Sequence, residues 1–131
     1  MNHSLVVEFN QKILGIEPRK LGLMPPLEFS LSLKQLREEI LEMEEAYDKG
    51  DLIGVVDGLI DLKYFLLGVV YKHGISEQTF NEMFQAVHEA NMEKKLGVKK
   101  GREGFGNSAD AVKPEDWVPP ETRIQEILSR V

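Results

Sequence analysis

Two short stretches place carboxylates at spacings that chemistry can use. The first, REEILEMEE (37–45), carries Glu38, Glu39, Glu42, Glu44 and Glu45. The second, VVDGLIDLKYFLLGVV (55–70), sets Asp57 and Asp61 among eleven aliphatic or aromatic residues in sixteen. Four residues apart on a helix, the two aspartates share a face. A helix that is apolar all round is ordinarily buried, and a buried carboxylate is costly unless something pairs with it. The pair must therefore sit at an edge, be neutral, or hold a cation. If the two helices pack antiparallel, Glu39 and Glu42 face Asp57 and Asp61. That oxygen-only donor set suits a hard divalent cation, magnesium or manganese. The competing explanation is a salt bridge to Lys63, Lys72 or Arg37. Lys63, two residues from Asp61, points elsewhere, and the acids outnumber the candidate bases. The acidic helix also has a plain reading as a solvated face. Glu38, Glu42 and Glu45 stack on it, with Glu39 one flank over, roughly opposite the leucine stripe.

The elements that must position these acids are legible as helices. A first helix is expected over about 3–13, followed by a loop punctuated by Gly15, Pro18, Gly22, Pro25 and Pro26. Ser32 and Gln35 read as a capping box that starts the second helix, with Leu33, Leu36, Ile40, Met43 and Tyr47 as its apolar stripe. That helix stops near Lys49 and Gly50. Asp51 caps a third helix that ends at Gly74, and Ser76 caps a fourth that fades around Lys95. Residues 97–120 hold four glycines and three prolines without periodicity, and read as a long loop. A short helix over about 121–130 closes the chain. No strand shows convincing alternation. The expectation is an all-α fold: a single domain over 1–131, built as a bundle of four to five helices, with 97–131 as a loop-rich tail. The short joints make helices two, three and four antiparallel neighbours. The third helix has more apolar surface than its neighbours can cover. Leu59, Leu62, Leu66, Val69 and Val70 call for a partner, most simply a second copy of the chain.

Composition narrows the classes. Hydrophobic residues make up 42% and charged residues 29%, an ordinary globular balance. A net charge of −6 and a pI of about 5.1 argue against a nucleic-acid binder. With no cysteine, thiolate metal sites and cysteine nucleophiles are excluded. The start of the chain lacks signal-peptide character, and charges interrupt the apolar run of 52–70, so a cytoplasmic protein without a membrane partner is expected.

The order and spacing of these acids resemble the MazG-like, all-α nucleoside triphosphate pyrophosphohydrolases, which pair an EExxE helix with a helix bearing ExxD. Glu38-Glu39-Ile40-Leu41-Glu42 matches the first half, and Asp61 the final Asp of the second. Gly58 stands where the Glu would be. Asp57, one residue earlier, is the substitute, as in the branch resembling phosphoribosyl-ATP pyrophosphohydrolase, where a DxxxD helix is familiar. HEANMEKK (88–95) and KPEDWVPP (113–120) also look like that branch. The resemblance implies magnesium on Glu39, Glu42, Asp61 and Asp57, with Glu38 holding a second ion or orienting the water. It implies cleavage of a nucleotide between its α and β phosphates, and a homodimer or homotetramer.

A triphosphate also needs protein cations. KKLGVKKGR (94–102) holds five bases and no acid. Lys94 and Lys95, near Asn91 at the end of the fourth helix, are the candidates for phosphate contacts, while Lys99, Lys100 and Arg102 have the plain reading of a solvated loop. Asn91 reads a base edge, holds a phosphate oxygen, or is a surface residue. Phe9 and Asn10 are placed to reach a nucleobase, against the alternative that Phe9 is core. His88 is a packed histidine rather than a catalyst. Trp117 clamps the tail or covers a neighbouring subunit's pocket. Two other readings stand beside the hydrolase: a non-catalytic helical module with an acidic face, and an enzyme acting on a phosphoribosyl compound.

Overall fold

The structure is a computed structural model and describes residues 2–98 and 109–131. It contains five helices: α1 (Asn2–Lys12), α2 (Pro26–Asp48), α3 (Leu52–Lys72), α4 (Glu77–Met92) and α5 (Glu121–Ser129). Between the last two lies an antiparallel ribbon of β1 (Lys95–Val98) and β2 (Ala109–Val112). The all-α expectation holds, with the ribbon as an addition inside the stretch read as a loop. Four-residue strands carry too little alternation to announce themselves. The basic positions Lys99, Lys100 and Arg102 lie outside the described residues. The chain divides into two compact units, Met1–Glu77 and Gln78–Val131.

In the first unit, α2 and α3 form an antiparallel pair. Asp51 caps α3 as expected, its Oδ1 accepting the Gly54 N–H at 3.0 Å. Two glycines set how closely the helices approach. A Cβ on Gly58 would lie 2.9 Å from the Met43 Cβ, and one on Gly54 would lie 2.8 Å from the Ala46 Cβ. The start of α2 corrects the capping-box reading: the helix begins at Pro26, not after Ser32. Proline is at ease in the first turn, where its missing N–H would have no partner anyway. Ser32 is buried inside the helix, its Oγ donating to the Glu28 carbonyl at 3.0 Å. The inward face of α2 is likewise shifted from the predicted stripe. Ser32, Glu39, Met43 and Ala46 turn inward, while Ile40 and Tyr47 are exposed.

Helix α1 lies along α3. Phe9 meets Tyr64 edge to face with centroids 5.5 Å apart, and Lys63 Nζ donates to Asn2 Oδ1 at 2.8 Å. The loop between α1 and α2 is tied to the end of α3. Tyr71, buried, donates its hydroxyl to the Ile16 carbonyl at 2.7 Å. Arg19 forks onto both Glu28 oxygens, at 2.7 and 3.0 Å, and reaches the Lys72 carbonyl at 3.3 Å. Gly74 ends the helix at φ +74°, so close to Lys20 that a Cβ would meet its backbone at 2.5 Å. Of the residues expected to need a partner, Val70 is buried within the chain, Leu62 and Val69 are half-buried, and Leu59 and Leu66 stay exposed.

In the second unit, Ala86 and Ala90 of α4 and Ile127 of α5 are buried. Arg123 pairs with Glu89 across these two helices, and Arg130 lies 3.7 Å from Glu82. No helix among the described residues is long and apolar enough to cross a membrane.

Two outcomes follow. Gly58→Ala should destabilise the protein by about 1–3 kcal/mol in chemical denaturation, although alanine is the better helix former, because the new methyl has no room beside Met43. The Arg19 hydrogen bond holds the Glu28 carboxyl below its ordinary value of 4.5. A depressed carboxylate contributes stability above its unfolded pKa and loses it as pH falls through the folded one. Glu28→Gln should therefore cost about 0.5–1.5 kcal/mol at neutral pH, with the difference from the parent vanishing under acid. Melts at several pH values would check this.

Candidate functional site

The glycine-lined approach of α2 and α3 brings the predicted acids together. Moving along α3, Gly54 stands against Ala46, Gly58 against Met43, and Asp61 comes opposite Glu39. Glu39 is half-buried, its Oε2 shut off from solvent without a hydrogen-bond partner. It thus belongs to the face that packs on α3, not to the flank of a solvated acidic face. Burial pushes its carboxyl above the ordinary carboxylate range, and the charges of Glu42, Asp61 and Asp57 push the same way. Asp61 is half-buried, while Glu38, Glu42 and Asp57 are exposed.

No base among the described residues relieves this cluster. Among the described residues none of Glu38, Glu39, Glu42, Asp57 or Asp61 forms an ion pair. Lys63, as its spacing suggested, is turned away to Asn2. Nor are three of the acids drawn up into a ready-made cation cage among the described residues. The arrangement is a set of carboxylates that share a field, with one buried oxygen lacking any donor. A buried acceptor left so costs about 1–3 kcal/mol, more when charged. The donor chemistry, oxygen only and anionic, fits a hard divalent cation.

The other predicted residues fall into separate places. Asn10 is buried under α1, its Nδ2 donating to the Val6 carbonyl at 2.9 Å and lying close to Gly68 of α3. Gly68 is seven residues beyond Asp61, about 10 Å along the helix axis. Asn10 Oδ1, like Glu39 Oε2, is buried without a partner. In the second unit Asn91 and Lys95 are exposed, and Lys95 pairs with Val112 in the ribbon. Lys94 lies 5.1 Å from the centroid of the Trp117 ring, and Lys113, a residue not singled out from the sequence, lies 5.0 Å from it. His88 is exposed rather than packed. A cavity of about 470 Å³ bordered by Val7, Gln11, Arg19 and Tyr71 lies at the far end of α3, and the acids do not line it. Charge, not concavity, identifies the carboxylate site.

These observations converge with one comparison. The family model described as phosphoribosyl-ATP pyrophosphohydrolase matches residues 8–91, a span that takes in α2, α3 and all five acids. No curated protein matches the chain. That family lies within the MazG-like superfamily and consists of enzymes that hydrolyse phosphoanhydride bonds. With well over half of its residues inside the match, this chain belongs to the phosphoribosyl-ATP pyrophosphohydrolase family and is a nucleotide pyrophosphohydrolase.

Proposed function

We propose that the chain hydrolyses a nucleoside triphosphate, or a related nucleotide, between the α and β phosphates, giving a monophosphate and pyrophosphate. The proposal places magnesium, or manganese, on Glu39, Glu42, Asp57 and Asp61. The observation that carries it is the buried, donorless Glu39 Oε2 within a cluster of acids that no base among the described residues neutralises. A bound divalent cation supplies charge for the phosphate oxygens and lowers the pKa of an attacking water. Of the chain's own groups, Glu39 and Asp61 hold the inner part of the site and Asp57 and Glu42 its open side. Glu38, exposed at the edge, is left to orient the water or to hold a second ion. Lys94, Lys95, Asn91 and Asn10 are proposed as the substrate-binding residues. The family match favours a second choice of substrate, a phosphoribosyl nucleotide. Both readings cut a phosphoanhydride bond. The cytoplasm is the proposed compartment, with neither a nucleic acid nor a membrane as partner.

We also propose a homodimer or homotetramer. Leu59, Ile60 and Leu66 of α3, and Leu5 of α1, are about half exposed in the single chain. Leu5 and Ile60 border a groove of about 360 Å³ between these helices. Exposed apolar residues of this kind support an interface with a second copy.

Pyrophosphate release from a panel of NTPs, dNTPs and phosphoribosyl-ATP, with and without magnesium, tests the activity. Asp61→Asn should lower turnover at least ~100-fold. Glu39→Gln should do likewise, yet raise the melting temperature of the metal-free protein by ~2–4 °C, because it removes one of the crowded charges. Turnover that survives both substitutions, or that ignores divalent cations, would sink the carboxylate site. In sedimentation equilibrium the parent should run as an oligomer and a Leu59→Glu, Ile60→Glu double variant as a monomer. A monomeric parent would end that part of the proposal.

A further inference from the structure

The second unit carries a cationic cluster of its own, past residue 91 where the family match ends and within the two stretches that resemble the same branch. Its centre is Trp117, the one tryptophan of the chain. The indole Nε1 donates to the Ala90 carbonyl at 2.7 Å, sharing that acceptor with the Glu93 N–H in the last turn of α4. The Trp117 backbone N–H donates to the Pro114 carbonyl at 3.0 Å, so a tight turn fixes the residue from its other side. Held by its edge, the ring gathers the ammonium groups of Lys94 and Lys113, at 5.1 and 5.0 Å from its centroid.

Nothing in the local structure requires both lysines. Lys94 follows the C-terminus of α4, where a helix dipole welcomes a cation. Lys113 has no such reason. It arrives through the ribbon, in which Lys95 pairs with Val112, so that Lys94 and Lys113 flank the last pair on opposite strands. Like charges opposed across a ribbon are destabilising. Sharing one ring, the two ammonium groups lie within roughly a Debye length of each other, ~10 Å at 0.1 M salt. Among the described residues neither has a carboxylate partner. In a chain of net charge −6, acids to neutralise them were plentiful. Two cations held at one ring, without a counter-charge among the described residues, suit an anion with several oxygens.

We propose that Lys94, Lys113 and Trp117 form a binding site for a phosphoryl group, the lysines closing on its oxygens and the anchored indole holding them together when it is absent. The assignment of that group to the diphosphate part of a nucleotide rests on the hydrolase reading above. The anion site itself does not.

Because Trp117 is the sole tryptophan, its fluorescence reports the site directly. The full chain is titrated with sodium pyrophosphate, with sodium phosphate, and with sodium chloride at matched ionic strength. Pyrophosphate should give a saturable change that chloride does not. Lys113→Gln, at an exposed position, should weaken binding about tenfold, as expected on losing one charge-assisted contact. Lys12→Gln, which removes a lysine already paired with Glu8, should leave it unchanged. No saturable change, the same change with chloride, or unaltered binding by Lys113→Gln would overturn the site. Phosphate binding as tightly as pyrophosphate would overturn the nucleotide assignment. Asp61→Asn should bind pyrophosphate normally. A parent chain that binds pyrophosphate yet turns over none of the nucleotides refutes the hydrolase reading and leaves this site standing. Turnover with an unchanged KM in Lys113→Gln refutes its role in substrate binding instead.

Discussion

The close approach of α2 and α3 over Gly54 and Gly58 is the constraint on which the candidate site depends. Two missing side chains let Ala46 and Met43 sit almost on the backbone of the facing helix. One turn further along, the same proximity forces Glu39 against Asp61. A wider crossing would let water between the acids and their mutual field would fade. Gly58 therefore has a positive role at the position where the resemblance expects a glutamate. It gives up a carboxylate for proximity, and Asp57 stands beside it in the sequence.

This geometry works against the stability of the protein alone. Glu39 is held where burial and three neighbouring carboxylates all disfavour its charge. Sites that must bind a cation or an anionic transition state commonly keep such tension. The neutralising contacts are instead spent at structural joints. The Arg19 fork, the Arg123–Glu89 pair and the exposed Lys12–Glu8 pair all lie away from the five acids. The second unit shows the same separation with reversed sign, gathering lysines around an indole and leaving them without acids.

Much of this was legible in the residues because it depends on local chemistry. Asp51 begins α3 and Gly74 ends it, as capping rules require. The acids were legible as a set because their spacing survives any small error in helix phase. What was not legible depends on partners distant in sequence. The start of α2 was misplaced because Pro25 and Pro26 signal both a loop and a first turn, and only the finished fold decides between them. The helical wheel alone left Glu39 between two readings, the flank of a solvated acidic face and a position facing the aspartates, and the face that Gly54 and Gly58 select decides for the second. The ribbon went unseen because its strands are four residues each, and Lys113 went unseen with it. Lys113 acquires meaning only from the ribbon, whose last pair, Lys95 and Val112, brings it to the same indole as Lys94.

The clasp at the end of α3 also bears on how the chain assembles. The contacts between α2 and α3 close through a turn of a few residues, and cost little loop entropy. Those that Arg19 makes with Lys72, and Tyr71 with Ile16, join residues 53 and 55 apart in sequence. Such contacts gain only after the intervening hairpin exists, since loop closure must precede the reward of a distant pairing. Loop entropy alone therefore favours the acid-bearing hairpin as the framework onto which α1 and its loop close. Chemistry and loop entropy then select the same pair: the helices joined by so short a turn are those that carry the carboxylates.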